Sequence, residues 1–202
     1  MGKNTPPLDH TQKEKYIELH LFNELLWLLG AATEWSIQDQ LKLEIVGYNV
    51  QVYAMDSALL HARALFEFFV QSTNDNHYGC DQFLGTVLKS DSYSGNWKGP
   101  LHMSLMHAQD RSSPRPLKSA GVEKDLNQMP VDFAREILNL WVEFEGTLDK
   151  SDEPRDLRLK ELAREKRKEA IERAECVVNS TVAQQHARGR HQLLKPVFIF
   201  AS

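Results

Sequence analysis

His107 and Arg111 stand four residues apart in LHMSLMHAQDR. On a helix that spacing puts both side chains on one face. A histidine that titrates near neutral pH, beside a fixed cation, is the minimum equipment for metal-independent cleavage of a phosphodiester. The imidazole moves the proton and the guanidinium holds the phosphate. Asp110 lies beside the pair and His102 about a turn and a half earlier. The same residues suit an interhelical hydrogen bond equally well, with Arg111 at a helix C-terminus, where the dipole favours a cation. A second pair, His61 and Arg63, lies in DSALLHARALFEFF. Two helical positions separate side chains by about 200°, so these two form no compact site alone. Arg63 can share a face with Asp56 or Glu67, and Glu67 is four residues on, within salt-bridge reach. The plain reading is a structural ion pair with His61 at the rim of the core. Arg63 joins a phosphate site only by meeting His107 and Arg111 from a neighbouring helix.

Other candidates are weaker. His77-x-x-Cys80 has a ligand-like spacing, but no second pair of ligands answers it. His186 and His191 lie five apart near the C-terminus and read as solvated. No H-E-x-x-H, Walker, G-x-G-x-x-G or G-x-S-x-G pattern is present. No cofactor and no metal is therefore expected. The run from Lys160 to Arg173 is interleaved with glutamates, which marks a solvated or partner-bridging helix more than a nucleic-acid stripe. Arg188, Arg190, His191 and Lys195 lack nearby acids. They are candidate contacts to RNA, DNA or an acidic surface, or a basic tail with no such role.

The elements that carry these residues read as helices. Leu19, Phe22, Leu25, Leu26 and Leu29 recur at three- and four-residue spacing, widened by Ile17, Leu21 and Leu28. They predict a first helix over 12–34, buried on two sides, with Trp35 covering its exit. A second helical region begins near Ser36 or Gln38 and runs to Gln71, with Gly47 a point of bending. Val50 to Tyr53 alone would pass for a strand, but Met55, Leu59, Leu60, Ala62, Phe66, Phe69 and Val70 keep the helical period. STNDNHYG breaks it. A short helix is expected over 81–89 with Phe83 and Leu84 inward, then a loop, then a helix over 101–111 stopped by SSPRP. Residues 117–129 read as irregular. Pro130 suits a first helical turn, and Phe133, Ile137, Leu140, Trp141 and Phe144 line one face of the helix to about Leu148. Pro154 starts a last, densely charged helix to about Val182, with a thin apolar stripe from Leu159 to Val178. Glu161 with Arg164, Glu165 with Lys168 and Glu169 with Arg173 are expected as surface pairs worth about 0.2–0.5 kcal/mol each.

The chain has 202 residues, 42% hydrophobic and 26% charged. That is the composition of an ordinary globular protein with one substantial core. A formal net charge of -4 gives no global attraction to nucleic acid or to an anionic membrane. Cys80 and Cys176 make no disulfide framework, so a reducing, cytoplasmic setting is expected. MGKNTP has Pro where a myristoylation signal wants Ser or Thr. No apolar run is long enough to span a membrane.

The segments SALLHARALFEFF, DQFL, LHMSLMHAQDR and FAREILNLWVEF, in that order, together resemble a group of small bacterial helical proteins related to the HEPN superfamily. In those relatives a central helix has an H-A-R-x-L-x-x-F-F type run, here His61 to Phe69. A later helix has a His with an Arg nearby, here His107 and Arg111. The resemblance covers about 41–148. It implies a helical bundle that often dimerises, and either a ribonuclease of toxin or defence systems or a non-catalytic partner. The ribonuclease members carry an Arg followed four to six positions later by a His. Here no His follows Arg63, Arg111 or Arg115 at that spacing, so the resemblance supports the fold more than the chemistry.

The expectation is an all-α, up-and-down bundle of about five helices with a long charged C-terminal helix. Residues 1–11 are expected to be disordered, 12–150 to form the bundle, 151–183 the charged helix packed on it or projecting from it, and 184–202 a basic then apolar tail. The function expected is a non-catalytic cytoplasmic interaction module with a protein partner or a second copy of itself, and no membrane. The alternatives are a ribonuclease-like enzyme using His107, Arg111 and Arg63, and RNA or DNA binding through Arg188, Arg190 and Lys195.

Overall fold

The computed structural model describes residues 6–41, 46–74, 77–91, 93, 118–119, 122–123, 129–148 and 154–178, with side chains described for most of these. The helix over 101–111, with His107 and Arg111, lies outside the described residues. So do His186, Arg188, Arg190, His191 and Lys195.

The fold is an all-α bundle. Helix α1 is His10–Lys15, followed without a break by a π-helical turn, Tyr16–Leu21, and by α2, Phe22–Leu41. Then come α3, Val46–Val70, the short α4, Asp81–Leu84, α5, Met129–Leu148, and α6, Pro154–Val178. A minimal antiparallel hairpin, β1 (Lys118–Ser119) with β2 (Val122–Glu123), sits in the stretch expected to be irregular.

The first helix begins at His10, earlier than expected, because its start is capped. The Asp9 carboxylate accepts from the Gln12 backbone N–H at 2.8 Å, and the Gln12 side chain accepts from the Asp9 N–H at 2.9 Å. Each satisfies a donor that the helix start would otherwise leave open. The Leu8 N–H also donates to the Gln82 side chain at 3.1 Å. Leu8 to Thr11 are thus held, where the sequence reads as loose.

The helix also ends later than expected. Trp35 is buried within it, not beyond it, and Ile37 is buried too. Its core face carries Ile17, Leu21, Leu25, Leu28, Leu29 and Ala32. Leu19, expected in the stripe, is 54% exposed. It lies two residues from both Ile17 and Leu21, about half a turn, so burying that pair turns it outward.

Helices α2 and α3 pack as an antiparallel pair. Glu24 meets His61, and Gly30 to Glu34 face Tyr53 to Ser57. Helix α6 follows the N-terminal helix in the same direction. Arg158 lies near Glu14 at 4.0 Å, Lys166 stands over the Phe22 ring at 4.9 Å, and Ala174 lies by Gly30. The charged helix is therefore packed on the bundle. Leu159, Leu162, Ala163, Ala170 and Ala174 are buried, the three alanines small enough for a close helix approach. Trp141 and Glu145 of α5 meet α6 side on. The Trp141 indole donates to the Ala163 carbonyl at 3.1 Å. Glu145, 3% exposed, is gripped by Arg167 through two bonds of 2.7 and 3.1 Å, with Arg164 at 3.8 Å. Of the expected surface pairs on α6, Glu169 with Arg173 forms. Arg164 turns instead to Glu145, because a buried carboxylate binds a cation more strongly than an exposed one does.

The centre of the bundle is aromatic. All five residues assigned to the inner face of α5 are buried. Phe68 and Phe69 of α3 meet Phe144 edge to face, and Phe69 meets Trp141 at 6.0 Å. Phe66 stacks on Tyr93 at 4.8 Å. Such pairs add about 0.5–1.5 kcal/mol each beyond their burial.

Candidate functional site

His61 and Arg63 diverge as helical geometry requires. His61 faces α2, where its Nδ1 lies 2.7 Å from a Glu24 carboxylate oxygen and its ring lies 5.0 Å from Trp27. The Arg63 Nε donates to Glu67 at 2.9 Å, one turn along its own helix. The structure makes Arg63 half of an ion pair. His107 and Arg111 lie outside the described residues, as do Arg188, Arg190 and Lys195.

The structure gathers a different set of polar groups. Tyr16, His20 and Glu24 project from the π turn and the start of α2. Glu67 comes from α3, and His77 and Tyr78 from the loop after it. These six line one partly enclosed cavity of about 170 Å³. The rest of its wall is Leu21, Ala64, Leu65 and Phe68. The π turn adds room in the helix at this point, and such turns often accompany functional sites.

The loop that brings His77 and Tyr78 here is tightly specified. Asn74 N–H donates to the His77 carbonyl at 3.0 Å and Cys80 N–H to the Phe68 carbonyl at 2.7 Å. Asp81 accepts from the Thr73 hydroxyl at 2.6 Å and from its N–H at 3.1 Å, while the Gly79 N–H donates to the Thr73 hydroxyl at 2.8 Å. A Cβ at Gly79 would stand 2.2 Å from the Gln71 carbonyl oxygen. Only glycine permits that approach.

Within the cavity Tyr16 lies 5.1 Å from the His20 ring, 5.8 Å from Phe68 and 5.8 Å, edge on, from Tyr78. Burial pushes the Tyr16 phenol up to about 12, with the nearby Glu24 charge and Tyr78 adding to it. Its hydroxyl stays protonated at any physiological pH. The His77 Nε2 is buried and has no hydrogen-bond partner among the described residues. Leaving such an atom unmatched costs roughly 1–3 kcal/mol.

The His77-x-x-Cys80 spacing holds no metal pair. The Cys80 Sγ donates to the Phe69 carbonyl at 3.0 Å, and burial raises its thiol to about 11. Among the described residues no group of three or more His, Cys, Asp or Glu is placed to hold a metal ion. The sequence did contain a signal for the cavity. Tyr16, His20 and Glu24 are four apart, a polar line on an apolar helix. What it lacked was the facing wall from α3 and the loop.

A second feature lies on the other side of Glu24. An open apolar groove of about 460 Å³ runs between α2, α3 and α6, with Trp27, Gly30, Tyr53 and Ala54 on its walls and Glu34 and Arg173 at its polar edge. Trp27 is 50% exposed, Tyr53 70% and Leu60 53%. Tyr53 and Leu60 are seven apart, on one face of α3, and Trp27 stands beside His61, next to Leu60. Trp27 and Tyr53 both line the groove, while Leu60 lies two turns along α3 from Tyr53. No described helix is long and apolar enough to cross a membrane.

Compared with family models, with curated proteins and with solved structures, the chain matches none.

Proposed function

We propose that this protein is a non-catalytic, cytoplasmic interaction module that pairs with a second copy of itself, in the manner of the HEPN-like bundles it resembles. The observation that carries the reading is the pair of exposed aromatic side chains, Trp27 and Tyr53, at an open groove. Large exposed aromatics grouped on one face are costly in water and mark contact surfaces. The same face supplies both protrusions, Trp27 and Tyr53, and a groove to receive them. A two-fold interface needs that self-complementarity. The groove edge carries one acid and one base, Glu34 and Arg173, so it favours neither a strongly acidic nor a strongly basic partner over a second copy.

The pairing of Arg63 with Glu67 supports this reading over the ribonuclease alternative, which asks Arg63 to hold a phosphate. Two free cysteines fit a reducing compartment. Size-exclusion chromatography with light scattering tests the proposal. The wild-type chain should give twice the monomer mass, and Trp27→Glu with Tyr53→Glu should give a monomer of unchanged helix content. A monomer mass for the wild type across concentration would refute the pairing.

A further inference from the structure

The groove between α2, α3 and α6 also lies beside the last described turn of α6. We propose that residues 197–201 of the same chain, VFIFA, dock in this groove and compete there with the second copy. The docking stands on the groove and the segment alone; the competition rests on the pairing proposed above.

Position comes first. Arg173 and Ala174 of α6 line the groove. Helix α6 is described as far as Val178, about 6 Å beyond Ala174 at ~1.5 Å per residue. Residues 179–202 follow, outside the described residues. A chain of about 20 residues spans roughly 25 Å as a random coil, so residues 197–201 are tethered within reach of the groove. Tethering at that span gives a local concentration on the order of millimolar. A free second copy matches that only in concentrated solution, so the tethered segment has the advantage when the protein is dilute.

Chemistry agrees with position. Leu26, Trp27, Tyr53 and Ala54 wall the groove, and Gly30 and Ala31 keep it open where larger side chains would close it. A Cβ at Gly30 would meet nothing within 4 Å. Residues 197–201 are an unbroken apolar run holding two phenylalanines and an isoleucine. Such a run left in water is costly and prone to associate. In an extended segment residues two apart point to one side, which sets Phe198 and Phe200 together against Trp27 and Tyr53. At about 460 Å³ the groove falls in the size range of pockets that bury most of a drug-sized group, enough for the two phenylalanine rings.

The test uses the full chain with Cys176→Ser and Ser202→Cys, spin-labelled at position 202; the buried Cys80 thiol stays unlabelled. Amide NMR spectra are recorded on dilute protein. The label should broaden Gly30, Ala31, Tyr53 and Ala54, and Phe198→Asp with Phe200→Asp should restore those signals. A mixture of labelled chain with isotope-enriched unlabelled chain should show no such broadening, since each segment docks on its own chain. No broadening in the labelled chain would overturn the docking. So would broadening that survives the double substitution, or broadening in the mixture as strong as within one chain, which makes the occupant the second copy's segment. The competition is read by light scattering on unlabelled protein across dilution. Phe198→Asp with Phe200→Asp should pair about tenfold or more tightly than the wild-type chain, because both copies of a pair must first release the segment. Equal pairing would overturn the competition. Broadening with no pairing in either chain refutes the pairing and leaves the docking standing, whereas pairing with no broadening does the reverse.

Discussion

At Cys80 a buried thiol donates to the Phe69 carbonyl and is pushed up to about 11, first by desolvation. Cys176 is exposed. Thiolate, not thiol, reacts with alkylating agents. Native protein at pH 8 should therefore take up one maleimide, at Cys176, and denatured protein two; mass spectrometry reads the count. The same shift has a pH consequence. Cys80 and Tyr16 both have folded pKa values above their ordinary ones, 9.0 to about 11 and 10.0 to about 12. Above pH about 9 the unfolded chain loses these protons before the folded chain does, so the unfolded state binds fewer protons and stability falls as pH rises. The stabilisation is fully present below pH 9 and drains away up to about pH 12. Urea unfolding at pH 8, 9.5 and 10.5 should show a declining midpoint, and Tyr16→Phe should flatten the upper part of the decline. Gly79 makes a separate residue-level case. Gly79→Ala forces a Cβ against the Gln71 carbonyl oxygen. It should destabilise by about 1–3 kcal/mol, in the range of overpacked sites, read as a lowered urea midpoint. Its glycine character was visible in NDNHYG only as a turn signal, because the close approach is to a residue eight positions earlier.

Among the elements, α6 has the weakest pattern of its own. Its apolar stripe is thin and rich in alanine, and its charge reads as a solvated helix. The structure gives two of those charges a buried target, since Arg164 and Arg167 both close on Glu145 of α5. Arg167→Ala would leave that carboxylate 3% exposed with only the longer Arg164 contact. The expected loss is about 2–3 kcal/mol, at or just below the usual cost of breaking a buried pair because Arg164 remains. Glu145→Met with Arg167→Met together should recover much of it, and thermal melts of the three variants check the order. Helix α5, by contrast, was legible in sequence, and its five inner-face residues are all buried, with others such as Ala134, Leu138 and Glu145 buried beside them. Large apolar side chains at regular spacing announce a face; alanines and an acid do not.

For the whole molecule, the position of α6 along the N-terminal helix makes it part of the single core. Far-UV circular dichroism and the summed fluorescence of the four tryptophans should then report one coincident unfolding transition in urea. If α6 were an appendage, helix signal would be lost first. The all-α class, the helices Met129–Leu148 and Pro154–Val178, the existence of two long helices before them, though with their junction placed near 35 instead of after Leu41, and the divergence of His61 from Arg63 were determined by the sequence itself. Each follows from local periodicity, breakers and the fixed angle per residue, which need no knowledge of neighbours. The Arg63–Glu67 pair was also within reach of the sequence, four residues apart on one helix. Tertiary structure alone decided that Leu19 faces out while Ile17 and Leu21 face in, and that the charged helix lies on the bundle. It alone brought Tyr16, His20 and Glu24 against Glu67, His77 and Tyr78. Those residues come from three separate stretches of chain, and a cavity exists only where their faces meet.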